Sequence, residues 1–167
     1  KTIREKVFRT MSDGWTAAFE AGVFTEFMEQ RAFGHAILDG KIYDRGLLDF
    51  KKRIQEVRDE LDPWEDDLYF DKCEQLKAME ICIEGLLLFA ERYAKEAERL
   101  AAEENDGKRK SEREHIAEVC RRVPAHAPRN FQEALQMYWF VHLGVISELN
   151  TWDSYNPGRL DQHLLQF

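Results

Sequence analysis

The stretch from Phe131 to about Ile146 would put apolar residues on nearly every side of a helix. They are Leu135, Met137, Tyr138, Trp139, Phe140, Val141, Leu143, Val145 and Ile146. A helix that is apolar around its circumference has no face suited to water and is buried. This one predicts a body larger than these residues alone supply. Just ahead of it, Asn130 and Glu133 have the spacing of a capping box. The run Pro124-Ala125-His126-Ala127-Pro128-Arg129 must be largely non-helical, because each proline restricts itself and its predecessor.

Helical periodicity also dominates the rest. From Ile3 to about Ala32, apolar residues recur at helical spacing, with breaks expected at Ser12-Asp13-Gly14 and Gly22. Residues 33–41 read as a loop or short extended piece with an Asp39-Gly40 turn signal. Leu47 to Leu61 is a predicted helix. Asp62-Pro63-Trp64-Glu65 has the pattern of a helix start, opening a long helix whose stripe includes Met79, Cys82, Ile83, Leu86, Phe89, Tyr93, Ala97 and Leu100. That helix is expected to end near Glu104-Asn105-Asp106-Gly107, and another to run from about Lys110 to Arg122. Four Pro and nine Gly in 167 residues are too little punctuation for an all-β chain.

With 44% hydrophobic and 34% charged residues, the chain is of the soluble globular class. A net charge of -8 disfavours binding to a nucleic-acid backbone. No run of 18 apolar residues points to a membrane span. The cysteines Cys73, Cys82 and Cys120 form no pairing framework, which fits a reducing cytoplasm. The Lys1-Thr2-Ile3-Arg4 start and the apolar Leu164-Leu165-Gln166-Phe167 end suggest a piece of a longer chain.

Several patterns resemble chemistry. Cys82-Ile83-Glu84 places a thiol near a carboxylate in sequence, but residues two apart on a helix point about 200° apart and do not converge. Cys82 is therefore expected to be a small buried hydrophobe. Glu112-x-x-His115 has the spacing of a carboxylate-bridged di-iron helix. Such a site needs a second copy and further inward glutamates, so this single copy amid Lys108, Arg109, Lys110 and Arg113 reads as a solvated face. His142 reads as a core histidine. His126 either caps a neighbouring helix or binds something, and His163 is open. His35, in a loop beside Gly34, has the proton chemistry of a general acid. The run Glu148 to Arg159 gathers polar and aromatic side chains in a turn after the buried helix, a frequent place for binding residues. Within it Asp153 is either a partly desolvated carboxylate for a substrate hydroxyl or ammonium, or a capping residue of the Pro157-Gly158 turn.

Five stretches together resemble the glycyl radical enzymes, the pyruvate formate-lyase-like family. They are Gly34-His35-Ala36-Ile37-Leu38-Asp39-Gly40-Lys41, Phe89-Ala90-Glu91-Arg92-Tyr93-Ala94, Cys120-Arg121-Arg122-Val123-Pro124-Ala125, Phe131-Gln132-Glu133-Ala134-Leu135-Gln136 and Asn156-Pro157-Gly158-Arg159-Leu160-Asp161-Gln162. Each is weakly specific alone. In this order they cover nearly the whole chain.

The resemblance implies a mainly α segment comprising the helical part and early elements of a ten-stranded α/β barrel, with residues 1–167 inside one domain. It implies radical chemistry in which a glycyl radical makes a thiyl radical that abstracts hydrogen from a small-molecule substrate. The radical glycine loop and the Cys-x-Glu loop of the family have no counterpart in these residues, so the segment is expected to be inactive alone and to supply substrate-pocket residues. Further implications are a radical S-adenosylmethionine activating enzyme, a homodimer, and a cytoplasmic, oxygen-sensitive setting, with no metal, nucleic acid or membrane. By resemblance, His35 matches the histidine near the departing hydroxyl in dehydratases. Phe27 matches the members that dehydrate trans-4-hydroxy-L-proline, where those acting on choline have Tyr, and Asp153 resembles the same members more than those acting on diols. His35 and Asp153 are thus the expected catalytic residues, and Phe27 joins them in binding substrate. A carboxylate beside His35 would favour its charged, proton-donating form. Phe33 departs from the proline of many relatives but leaves His35 in register. Other readings are a diol dehydratase, an aryl-acid decarboxylase, a formate acetyltransferase-like lyase, or a non-catalytic helical scaffold.

Overall fold

The computed structural model describes residues 3–23, 40–148 and 159–167. Among them are eight α-helices, one 3-10 turn and no strand. The helices are α1 (Ile3–Thr10), α2 (Asp13–Glu20), α3 (Lys41–Asp44), α4 (Leu47–Glu60), α5 (Tyr69–Glu103), α6 (Gly107–Arg122), α7 (Phe131–Glu148) and α8 (Leu160–His163), with the 3-10 turn at Leu164–Gln166. The chain forms two compact units, Lys1–Asp39 with Val141–Leu160, and Gly40–Phe140 with Asp161–Phe167.

In the first unit α1 and α2 are separated at the expected break. Ser12 caps α2 by accepting from the Trp15 amide at 3.2 Å. The break lets Phe8 meet Trp15 and Phe19 edge-on at 5.3 and 5.0 Å, while Trp15 stacks on Phe19 at 5.6 Å. Gly22 ends the turn with a positive φ of 73 degrees. Glycine adopts this left-handed conformation without a Cβ clash. Its amide and that of Val23 donate to Phe19 and Ala18 carbonyls, satisfying the helix end.

The second unit is organised on α5, which runs for 35 residues. At the helical rise of ~1.5 Å per residue, it is roughly 52 Å long. Its first half meets α4 through Leu47, Ile54 and Ile83, backed by Phe50, Leu76, Leu86 and Leu87. Burying each such aliphatic side chain contributes roughly 1.5–3 kcal/mol. Its second half presents Ala90, Ala94, Ala97 and Ala101, all buried, at helical spacing. These small side chains allow α6 to pack closely along it, and Ala90 and Ala94 share a cluster with Cys120 and Phe140. Phe89 and Tyr93 close over Phe140 edge-on at 5.9 and 5.8 Å.

Ion pairs line both seams. Across α4 and α5, Lys51 bonds Glu84 at 2.6 Å and Arg58 bonds Glu80 at 2.9 Å. Across α5 and α6, Arg113 reaches Glu104 at 2.9 Å and the Leu100 carbonyl at 2.6 Å, and Arg121 pairs with Glu98.

Two expectations are corrected. The Asp62-Pro63 pattern does not start the long helix, which begins at Tyr69. Asp62 and Asp66 instead accept from the amides of Trp64 and Leu68, two residues on. These local bonds hold a turn in place of a helical first turn. Cys82 is exposed, not buried. The stripe facing α4 passes through Leu76 and Ile83, and Cys82 lies one position off it.

Helix α6 starts at Gly107, three residues before the expected Lys110, because Asp106 caps it by accepting from the Arg109 amide at 2.9 Å. On α7, Ala134, Met137, Phe140 and Val141 are buried, while Phe131, Leu135 and Trp139 face outward at spacings of four. No helix among the described residues is long and apolar enough to cross a membrane.

Candidate functional site

The candidate pocket residues Phe27, His35 and Asp153 lie outside the described residues. Gly40 follows the segment 24–39, and Arg159 follows the segment 149–158.

Gly40 caps α3 and lies against His163, where a Cβ would stand 3.6 Å from both Cδ2 and Nε2 of the imidazole. Tyr43, 4% exposed, has its ring 5.7 Å from that of His163 and 6.4 Å from that of Phe167. Burial, then the neighbouring Tyr138, pushes the Tyr43 hydroxyl up to about 12, so it stays a neutral phenol at physiological pH. Tyr43, His163 and Phe167 thus form one small aromatic cluster.

A second anchor fastens the segment between α6 and α7. The Glu133 carboxylate, 2% exposed, accepts from the Arg129 guanidinium at 2.6 Å and the Arg129 amide at 2.7 Å, with Arg122 Nε at 3.4 Å. The hydrogen bonds from Arg129 hold this carboxyl below the usual glutamate range, outweighing its burial. Asn130 accepts from the Glu133 amide at 3.0 Å, one half of the expected capping box, but the Glu133 side chain turns to Arg129. The same segment caps α4: the amides of Leu47 and Leu48 donate to the Pro124 and Ala125 carbonyls at 2.8 and 3.1 Å. The Val123–Pro124 peptide is cis.

The chain matches the model of the pyruvate formate lyase-like family over residues 1–167. It belongs to that family. Trans-4-hydroxy-L-proline dehydratase of Clostridioides difficile is 48% identical over 98% of this chain and 21% of its own length. The crystal structure of the C. difficile hydroxyproline dehydratase with trans-4-hydroxy-L-proline bound superposes with a TM-score of 0.78, covering 98% of this chain and 21% of that one. The glycerol-bound B12-independent glycerol dehydratase of Clostridium butyricum gives a TM-score of 0.77 at 27% identity, over 100% of this chain and 21% of its own. The chain therefore spans about a fifth of these relatives.

Within this pyruvate formate lyase-like segment, several sequence candidates take ordinary structural roles. Glu84 pairs with Lys51 and lies on α5 beside exposed Cys82, away from any shared focus. Glu112 pairs with Arg109, and exposed His115 bonds Gln132 of α7 at 3.0 Å. His126 is exposed, while its amide donates to the Arg122 carbonyl and closes α6. His142 is half-buried on α7.

Sequence reasoning missed both anchors. The Arg129–Glu133 spacing of four is that of a helical ion pair, a signal for the buried carboxylate. The contact between Gly40 and His163 spans 123 positions, and local sequence carries no sign of it.

Proposed function

We propose that the full-length protein is a glycyl radical dehydratase that eliminates water from trans-4-hydroxy-L-proline. The observation carrying this reading is the 48% identity, over 98% of the chain, to a protein named for that reaction. The likeness to that enzyme's substrate-bound structure supports it. The match over residues 1–167 supports reading them as part of a single domain.

In this reading Phe27 packs on the substrate ring, and His35 and Asp153 manage the hydroxyl. The family's glycyl radical supplies the hydrogen-atom abstraction that starts such eliminations. The Asp153 carboxylate favours the protonated imidazole of His35. As the substrate C–O bond breaks, His35 gives its proton to the departing hydroxyl, and water leaves. A separate radical S-adenosylmethionine enzyme installs the radical, and the protein works as a cytoplasmic homodimer under anaerobic conditions.

The test uses the activated full-length enzyme. His35→Ala and Asp153→Asn should each abolish water loss from hydroxyproline while the glycyl radical signal, read by electron paramagnetic resonance, persists. Wild-type turnover in both variants would sink the pocket assignment.

A further inference from the structure

On the side of α5 opposite the buried Ile83, Ala90 and Ala94 stand Glu74, Ala78, Ile81, Gly85, Leu88 and Arg92, all exposed. Their spacings alternate between four and three, the pattern of a coiled-coil seam. Ile81 and Leu88 are 61% and 63% exposed, and a Cβ on Gly85 would meet nothing within 4 Å.

The order of these residues is self-complementary. Ile81 and Gly85 stand two positions either side of Ile83, Ala78 and Leu88 five, and Glu74 and Arg92 nine. A second α5 laid antiparallel about that midpoint sets each large side chain against a small one and each acid against a base. One layer further out, twelve positions from Ile83, Asp71 would face Lys95 in the same way, although Lys95 also pairs with Glu91 at 3.4 Å. Among the described residues the side chains of Glu74 and Arg92 take part in no ion pair. A helix dipole also favours acids early and bases late, but its effect is confined to the terminal turns. Glu74 lies five residues after the start of α5 and Arg92 eleven before its end.

We propose that this face of α5 binds the same face of a second copy, the two helices packed antiparallel about a two-fold axis at Ile83. Such a contact is isologous, so each ion pair and each large-on-small contact occurs twice. Ala78 and Gly85 let the helices approach closely, and Leu88 and Ile81 of the other copy fill the space above them. Cys82 flanks the seam at its centre, so the two Cys82 thiols come to the same side within about 10 Å of each other. This gives the homodimer of the reading above a contact surface, and it rests on that homodimer rather than on the substrate.

Sedimentation of the full-length protein over a dilution series gives the dimer Kd. Glu74→Arg and Arg92→Glu each bring like charges together twice and should raise it about 10- to 100-fold. The double variant Glu74→Arg/Arg92→Glu restores opposite charges and should return to within about threefold of wild type. Independently, a bismaleimide with a spacer of about 8–10 Å should join two wild-type copies through Cys82, and Cys82→Ala should remove that product.

A dimer whose Kd moves in neither single variant overturns this surface and leaves the homodimer standing. A monomer at every concentration overturns both. Losses that the double variant does not repair overturn the pairing. So does a Cys82 that stays unalkylated in the native full-length protein, where the rest of the chain would then cover this face. The substrate reading stands or falls on the His35 and Asp153 variants alone.

Discussion

The Glu133 carboxylate lies 2.6 Å from the guanidinium of Arg129 and 2.7 Å from the same residue's amide, so one buried side chain closes both the side chain and the backbone of its neighbour. Replacing Glu133 with Ala leaves the Arg129 amide without its acceptor and Arg122 without its ion-pair partner. The cost expected is about 2 kcal/mol, seen as faster amide exchange at Arg129–Ala134 in the full-length protein. Glu133→Gln, which keeps an acceptor oxygen, should lose less.

The same carboxylate sets a pH dependence. Its folded pKa is depressed, so its stabilisation is complete above the unfolded glutamate value of about 4.3 and is lost as pH falls through the lower folded value. Wild type should therefore lose melting temperature on acidification below about pH 4.3 more steeply than Glu133→Gln. Parallel curves for the two proteins would count against this role.

A side chain at position 46 has no room. A Cβ on Gly46 would overlap the Ala125 carbonyl and the His126 Cα, both backbone atoms that cannot swing aside. Gly46→Ala should cost about 2–4 kcal/mol. It should also expose the Leu47 and Leu48 amides to exchange, since these donate to the segment that is pushed away.

Close approach of α5 and α6 depends on alanine. Ala94 is fully buried, in a cluster with Cys120 and Phe140. Ala94→Leu adds volume to a filled seam and should cost about 1–3 kcal/mol. Ala94→Ser, nearly the same size, should cost less in melting temperature.

The three cysteines should alkylate in a fixed order. Cys82 is exposed and should react first, and half-buried Cys73 second. Cys120 should resist until the protein unfolds, because burial both shields its thiol and pushes it up to about 11, and the thiolate is the reactive form. Mass spectrometry after timed iodoacetamide treatment reads the order. Cys82→Ala should leave turnover of the full-length enzyme unchanged, because this thiol faces solvent and not a pocket.

The helices were readable because their signals are local. Ser12 sits where a cap belongs, α4 keeps a stripe through Leu47 and Ile54, and Asn130 marks the start of α7. Asp62-Pro63 misled for an equally local reason: two aspartates compete for the amides that a helix would use. Cys82 misled because an apolar stripe read with one position of slack cannot tell a buried residue from its neighbour on a helix this long. The candidate pocket was visible only through family resemblance, since Phe27, His35 and Asp153 do not share one local motif. The close approaches of Gly40 to His163 and of Gly46 to Ala125 join residues far apart in the chain, beyond the reach of periodicity or capping patterns.

The capping of α4 by Pro124 and Ala125 has a consequence for how the chain is made. The acceptors lie 77 positions after the Leu47 and Leu48 donors they serve. At a synthesis rate of about 5–20 residues per second, the start of α4 leaves the ribosome roughly 4–15 s before its cap exists. During that interval its first amides have only water as partner. The helix is therefore finished from its far end, and its opening turn becomes firm only after α5 and α6 have been laid down.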